Sequence, residues 1–94
     1  MKHYIIAKLK EGYKAEELAG PVKDLFEELL PLDGIHGVEV KTNCIDRANR
    51  YSIMIIIDMD PEALERYDVS EPHKTWKSEY GDMLESKAIF DSAD

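Results

Sequence analysis

The segment "YDVSEPHKTW", residues 67–76, places a Tyr, a His and the only Trp of the chain within one short stretch. An imidazole titrates near neutral pH, so His73 is a candidate general base that could take a proton from a carbon next to a carbonyl group. The phenol of Tyr67 could donate a hydrogen bond to the enolate oxygen that results. The segment therefore suggests proton transfer in a pocket formed by these side chains.

The same residues also suit a simpler interpretation. If a helix begins near Ser70, then His73, Trp76 and Tyr80 fall on one of its faces. That face would give the imidazole an aromatic, poorly hydrated environment. It could equally be an ordinary core stripe, with His73 in the first turn only satisfying a backbone carbonyl group. Pocket and plain packing both remain open at this point.

Length and charge limit the classes of protein to consider. The chain has 94 residues, enough for a single domain, residues 1–94, with one modest core that a second subunit would help to complete. Its 20 acidic and 12 basic side chains give a formal net charge of −8, which disfavours nucleic acid and anionic membrane surfaces. We therefore expect the partners to be small molecules or other proteins.

The sequence indicates neither a metal nor a cofactor. Its three His and single Cys44 show no metal-ligand spacing, and no phosphate-binding Gly-rich loop, nucleophile elbow or dinucleotide fingerprint is present. A lone Cys cannot form an internal disulfide, and the N-terminal apolar run is too short for a secretory signal, so we expect a cytoplasmic protein. The longest apolar run, residues 53–57, is far shorter than the roughly 20 residues that span a bilayer.

Hydrophobic periodicity predicts four strands and two helical regions. Inside the first helix, Gly20-Pro21 predicts a kink or a later start of the regular helix, because Pro lacks an amide donor. His36, between two glycines, is expected in the loop before the second strand. The predicted strands lie at 3–9, 38–42, 51–58 and 86–91, and the helical regions at 15–30 and, in two pieces, at 60–67 and 72–84.

This order, β-α-β-β-α-β, predicts an α+β fold of the ferredoxin-like type: an antiparallel four-stranded sheet with helices on one face. Alternation along the first strand puts His3 and Ile5 on the face assigned to the helices. The third strand offers apolar side chains to both faces at 53–57. We expect a second copy to cover the face without helices, which would give a homodimer joined through the sheets.

Three segments of the sequence resemble the stress-responsive dimeric α/β-barrel (Dabb) proteins, and the resemblance covers nearly the whole chain. "KHYIIAKLK" is similar to the first strand of that family, "GVEVKTN" to its second strand with the Asn43 that follows, and "DPEALERY" to its short helix. Members pair two sheets back to back into a barrel and form a pocket between sheet and helices in each subunit. The resemblance therefore implies a dimeric α/β barrel.

The motif most typical of this family, Y-x-x-H-P-x-H, is altered here to "YDVSEPH". Tyr67 and His73 keep their six-residue separation, whereas Ser70 stands at the first His position and Glu71 at the Pro position. Together with His3 on the first strand, Tyr67 and His73 are similar in position to the residues of polyketide-cyclising members. The resemblance thus implies His73, Tyr67 and His3 as catalytic residues, with His3 orienting or assisting.

Three functions stay open. The first is a homodimer, involved in stress response, that binds a small apolar or aromatic ligand in a pocket walled by Trp76, Tyr80 and Ile5. The second is a cofactor-independent enzyme of the cyclase, lyase or isomerase type, with His73 as general base and Tyr67 as hydrogen-bond donor. The third is a fold-related, cofactor-free monooxygenase.

Overall fold

The structure is a computed structural model, and it describes residues 1–93. Within this range four antiparallel strands form one sheet in the order β2-β3-β1-β4. The strands are β1 (Lys2–Leu9), β2 (Ile35–Thr42), β3 (Ile53–Met59) and β4 (Leu84–Ser92), and the helices are α1 (Ala15–Glu27), α2 (Leu64–Asp68) and α3 (Glu71–Thr75). This is the ferredoxin-like α+β arrangement, so the predicted fold class is confirmed.

The core lies between the sheet and the helices. β1 and β3 are the two central strands, and every second residue of each points into this layer, as their alternation requires. A fully buried aliphatic or aromatic side chain contributes about 1.5–3 kcal/mol relative to an exposed one, so this layer holds the fold together. Its most deeply buried members include Ile5, Ala7, Val22, Phe26, Leu29, Ile55, Ile57 and Met59.

The second strand begins earlier than predicted, which corrects the assignment of His36. β2 starts at Ile35 rather than at residue 38, and His36 therefore lies within the strand and not in a loop. The pairing with β3 shifts by one residue around His36, between Ile35 and Gly37. Gly34 makes the preceding turn possible, because its φ is 87° and a Cβ there would lie 2.9 Å from the Cβ of Ala63.

The first helix runs without a break from Ala15 to Glu27, with Pro21 inside it. A start of the regular helix only after Gly20 is therefore wrong, and so is its predicted end at residue 30. Pro21 has no amide to donate to the carbonyl of Glu17, but both residues are on the exposed side, where water can satisfy that group. Within residues 1–93 no helix is long and apolar enough to cross a membrane.

The predicted helix at 72–84 is split into three short pieces. α3 is followed by a wide π-helical turn, Trp76–Tyr80, and a 3-10 turn, Gly81–Met83, before β4 begins at Leu84. The other helical piece likewise begins with a 3-10 turn, Pro61–Ala63, before α2. Local i,i+3 and i,i+5 bonding is set by tertiary packing, so a helical apolar repeat cannot predict it.

Candidate functional site

A cavity of about 250 Å³ lies between the sheet and the short helices, at the end where β1 begins. β1 contributes His3 and Ile5 to its wall, and the neighbouring strand β4 contributes Ile89. α2 and α3 close it from the other side with Tyr67 and His73. The three residues predicted as catalytic thus line one cavity, although His3 is distant in sequence from the other two.

His3 is held by a carboxylate from the neighbouring strand. Its side chain is buried, and its Nδ1 lies 2.5 Å from Oδ1 of Asp91. The two residues are direct partners in the β1–β4 register, so their side chains leave the sheet on the same face. An ionised carboxylate can only accept, so Nδ1–H donates and Nε2 is the ring nitrogen left without this partner.

Asp91 was not among the residues predicted for this site. It lies near the end of the sequence, in a segment whose pattern predicted only a short closing strand. The signal that could have found it is alternation: Lys87, Ile89 and Asp91 share one face of β4 and all three line the cavity. Sequence alone does not give the register with β1, which is what brings the carboxylate to His3.

Tyr67 lies between the two imidazoles. Its ring centroid is 5.3 Å from that of His3, in an edge-on arrangement, and 4.6 Å from that of His73. Burial, with a smaller contribution from the negative charge of Asp68, raises the pKa of Tyr67 well above its ordinary value. The phenol therefore stays protonated at neutral pH and is available as a hydrogen-bond donor.

The hydroxyl group of Tyr67 is not fully enclosed. It has no hydrogen-bond partner among residues 1–93, whereas every fully enclosed side-chain nitrogen or oxygen in this part of the chain has one. The hydroxyl therefore keeps some solvent access, and Tyr67 lines the cavity. A ligand or water can accept its hydrogen bond.

His73 is fixed by the cap of its helix. Ser70 Oγ accepts a hydrogen bond from the backbone N–H of His73 (3.3 Å) and donates to the carbonyl of Tyr67 (2.7 Å), so Ser70 is the N-cap of α3 and ties α3 to α2. The Nδ1 of His73 lies 2.9 Å from the carbonyl oxygen of Asp68. A carbonyl only accepts, so Nδ1–H donates and Nε2 is left with the lone pair that a general base needs.

The remaining predicted pocket residues divide into two groups. Ile5 and Trp76 line the cavity, and Trp76 also packs edge-on against Phe26 with ring centroids 5.5 Å apart. Tyr80 does not reach the cavity: it stacks on Trp76, at 5.5 Å and 27° between the ring planes. Trp76 is therefore both a core residue and part of the cavity wall, whereas Tyr80 packs against Trp76 and does not line the cavity.

In chemical terms the cavity combines apolar side chains with a neutral phenol and two imidazoles that each have an assigned donor nitrogen, and charged side chains complete its wall: Asp68, Lys87 and Asp91. Within residues 1–93 no group of three His, Cys, Asp or Glu side chains is arranged to hold a metal ion. Such a set can accept and donate hydrogen bonds to an oxygen-bearing ligand and can move one proton at neutral pH.

Comparisons of the sequence gave no match to a protein-family model and no match to a curated protein. Comparison of the structure did give matches, and those described below are of low sequence identity. One is a dimeric protein of unknown function and ferredoxin-like fold from Bacteroides fragilis, with a TM-score of 0.76 and 19% identity over 97% of this chain and 92% of that chain. Another is a dimeric ferredoxin-like protein of unknown function from Thermobifida fusca, with a TM-score of 0.76 and 12% identity over 95% and 85% of the two chains.

A Dabb family protein with a ferredoxin-like fold from Mesorhizobium loti is also similar, with a TM-score of 0.65 and 16% identity over 99% of this chain and 94% of that chain. At these identities the likeness concerns the fold alone. The class of protein that the structure defines is therefore a ferredoxin-like α+β domain, similar in its whole length to dimeric proteins and to a Dabb family protein.

Proposed function

We propose that the protein is a homodimer of the stress-responsive α/β-barrel type that binds a small apolar or aromatic ligand in the cavity of each subunit. The observation that carries this proposal is the meeting of His3, Tyr67 and His73 in one cavity between sheet and helices. Ligand sites are typically concave and apolar, with a few converging polar groups. This cavity is concave, and apolar side chains share its wall with the converging polar groups of His3, Tyr67 and His73.

The lining of the cavity suggests the chemistry of its ligand. The apolar part of the wall comes from Ile5, Leu64, Trp76 and Ile89. The Tyr67 hydroxyl would donate a hydrogen bond to the ligand, and the lone pair of His73 Nε2 would accept one. A volume of about 250 Å³ suits a compact ligand. We expect a small ring compound with a carbonyl or hydroxyl group.

The face of the sheet opposite the helices supports the homodimer. Across the central strands, Tyr4 of β1 lies between Ile56 of β3 and Phe90 of β4, and Ile6 lies between Met54 and Ala88. Phe90 is 62% exposed, which is unusual for a large aromatic side chain. A second copy placed sheet to sheet would cover this patch, and structural neighbours of the chain are described as dimeric.

A second candidate function is cofactor-independent proton transfer, of the cyclase, lyase or isomerase type. The hydrogen bond from His73 Nδ1–H to the carbonyl of Asp68 favours it, because this bond leaves Nε2 as the basic nitrogen. His73 would remove a proton from a carbon next to a ligand carbonyl, and Tyr67 would donate to the enolate oxygen that forms. His3, held by Asp91, would be the positioning residue.

A ligand screen by thermal shift tests the proposal. We expect small aromatic ketones or phenols to raise the melting temperature of the wild type but not of His73→Ala. The matched control is His36→Ala, which removes the same ring from an exposed position outside the cavity. A screen without any stabilising compound, or the same response in both variants, would contradict ligand binding at this site.

Deuterium exchange separates the binder from the enzyme. A bound ketone in D₂O should lose the hydrogen next to its carbonyl group, seen by proton NMR, if His73 acts as a base. His73→Gln should stop this exchange while some binding persists, and Tyr67→Phe should slow it. Binding without exchange in the wild type would support ligand binding and would exclude proton transfer.

A further inference from the structure

A second and larger cavity, of about 470 Å³, lies at the opposite end of the sheet. The end of β1 and the turn into α1 form one side of it, at residues 8–16, and the loop between β2 and β3 forms the other, at residues 43–52. We call this cavity the loop cleft. It is about 17 Å along β1 from His3, since Lys8 is the fifth residue after His3, and it shares no lining residue with the first cavity.

The charge of the loop cleft is opposite to that of the rest of the chain. Five of the 12 basic side chains line it, but only three of the 20 acidic ones. Seven basic and 17 acidic side chains are therefore left for all other positions. The cations of the cleft are Lys8, Lys10, Lys14, Arg47 and Arg50, and its carboxylates are Glu11, Glu16 and Asp46.

Most of these cations have no carboxylate partner. Lys8 is the exception: it pairs with Glu85 at 3.4 Å and donates to the carbonyl of Ala48 at 2.6 Å. Among residues 1–93 no carboxylate lies at ion-pairing distance from the other four cations. Like charges gathered in one concavity repel one another, and a bound anion would relieve that repulsion.

Backbone hydrogen bonds fix the loop that carries the two arginines. At its end, the N–H of Ser52 donates to the carbonyl of Ala7 (2.8 Å), and Ser52 Oγ accepts from the N–H of Leu9 (3.0 Å). At its tip, the N–H of Arg50 donates to the carbonyl of Arg47 (3.0 Å). The arginines therefore stand on a turn tied to β1, and less side-chain and loop entropy is lost on binding than in a free loop.

Two tyrosines complete the loop cleft. Tyr13 and Tyr51 are 45% and 38% exposed, so a large part of each ring is free for contact. Guanidinium groups bind phosphate and carboxylate oxygens through paired N–H donors, and tyrosine rings pack against planar groups. We propose that the loop cleft binds a small organic anion that carries a phosphate or carboxylate group on a planar ring.

Three probes that share one ring test this proposal: 1-naphthyl phosphate, 1-naphthoate and the uncharged 1-naphthol. In amide NMR spectra of the wild type, the two anions should shift resonances from residues 8–16 and 43–52, and naphthol should not. The anion that binds more tightly identifies the headgroup. Shifts in neither segment, or equal shifts with naphthol, would overturn the proposal.

Paired substitutions then measure the part played by the arginines. A double variant, Arg47→Gln and Arg50→Gln, should bind the tighter anion at least about tenfold more weakly, because each substitution removes charge-assisted hydrogen bonds. The control, Lys23→Gln with Lys74→Gln, removes the same charge from exposed positions outside the cleft and should change the affinity by less than about twofold. Equal weakening in both variants would mean only a general charge effect and would also overturn the proposal.

This inference does not rest on the function proposed for the first cavity. Shifts confined to amides around His3, Tyr67 and His73 would support that function and reject an anion site in the loop cleft. Shifts confined to residues 8–16 and 43–52 would support an anion site in the loop cleft and would give no support to a ligand site in the first cavity. The NMR measurement on the wild type also decides the question if the double variant does not fold.

Discussion

The cavities at the two ends of the sheet are built in different ways. The cavity around His3, Tyr67 and His73 lies between regular elements, and its polar groups are held by neighbouring strands or by a helix cap. The loop cleft is formed by a turn and a loop, and most of its cations have no carboxylate partner among residues 1–93. The first is a gap inside a packed layer, whereas the second is a charged surface shaped by backbone hydrogen bonds.

This difference determines what each cavity requires of the fold. A residue such as Trp76 in the first cavity also packs against the core, so the shape of the site depends on the stability of the domain. Residues of the loop cleft such as Tyr13 are largely exposed and can change without disturbing that core. Substitutions at the two ends should therefore affect different measured quantities.

The largest difference should appear when one aromatic residue is truncated at each end. Trp76→Ala should lower the free energy of unfolding by about 3–5 kcal/mol, because it opens a void against Phe26. Tyr13→Ala, at an exposed position of the loop cleft, should change it by about 0.5 kcal/mol or less. Urea denaturation followed by circular dichroism measures both. Similar losses for the two variants would mean that the loop cleft is as much part of the core as the first cavity.

Much of the first cavity could be predicted from the sequence because its residues obey periodic rules. Alternation along β1 puts His3 and Ile5 toward the helices, and the capping signal at Ser70 positions His73. Asp91 could not be predicted, because its position next to His3 depends on the strand register. A regular helix would place Tyr80 in the cavity wall, whereas the chain changes to a π-helical turn after Thr75.

The loop cleft could not be predicted in the same way. Arg47 and Arg50 lie in a polar loop without periodicity, and Lys10 and Lys14 lie in a turn almost forty residues earlier. Tertiary hydrogen bonds bring the two segments together: those of Ser52 to β1, and that of Lys8 to the carbonyl of Ala48. A sequence with a net charge of −8 gives no hint of a basic concavity, because net charge says nothing of how the charges are distributed.

The first cavity should be complete within one subunit, because its wall and the face that would form the dimer lie on opposite sides of the sheet. Phe90 and Ile89 are neighbours on β4, both exposed, but Phe90 faces the side without helices and Ile89 lines the cavity. Phe90→Lys should raise the dissociation constant of the homodimer by at least about a hundredfold, because it buries an unpaired charge between the sheets. Analytical ultracentrifugation over a range of concentrations measures this constant.

Ile89→Lys provides the reciprocal control. It places the same charge on the cavity side of the strand, so it should leave the dimer intact and weaken ligand binding. The Phe90→Lys monomer should still bind the ligand, because every residue named in the cavity comes from one chain. A wild type that sediments as a monomer at micromolar concentration would refute the homodimer, and dissociation by Ile89→Lys would refute the assignment of the two faces.

The smallest expected effect belongs to a second His–Asp pair, which lies outside both cavities. His36 Nε2 is 2.9 Å from Oδ1 of Asp60, and this hydrogen bond and the carboxylate charge raise the pKa of His36 above its ordinary value of 6.5. A pKa that is higher in the folded than in the unfolded state stabilises the fold fully below the unfolded value. That stabilisation disappears as the pH rises through the folded value. More than half of each side chain is exposed, so the contribution is small.

Melting temperatures of the wild type and His36→Gln should therefore differ more at about pH 5.5 than at about pH 8.5, with the wild type the more stable at the lower value. Asp60→Asn keeps a side-chain acceptor but removes the charge, so it should reduce the pH dependence in the same way. Because Asp60 makes no side-chain cap to the turn at Pro61–Ala63, the loss of its charge should not disturb that turn. A difference that grows with pH would mean that the charged form of His36 is destabilised in the fold.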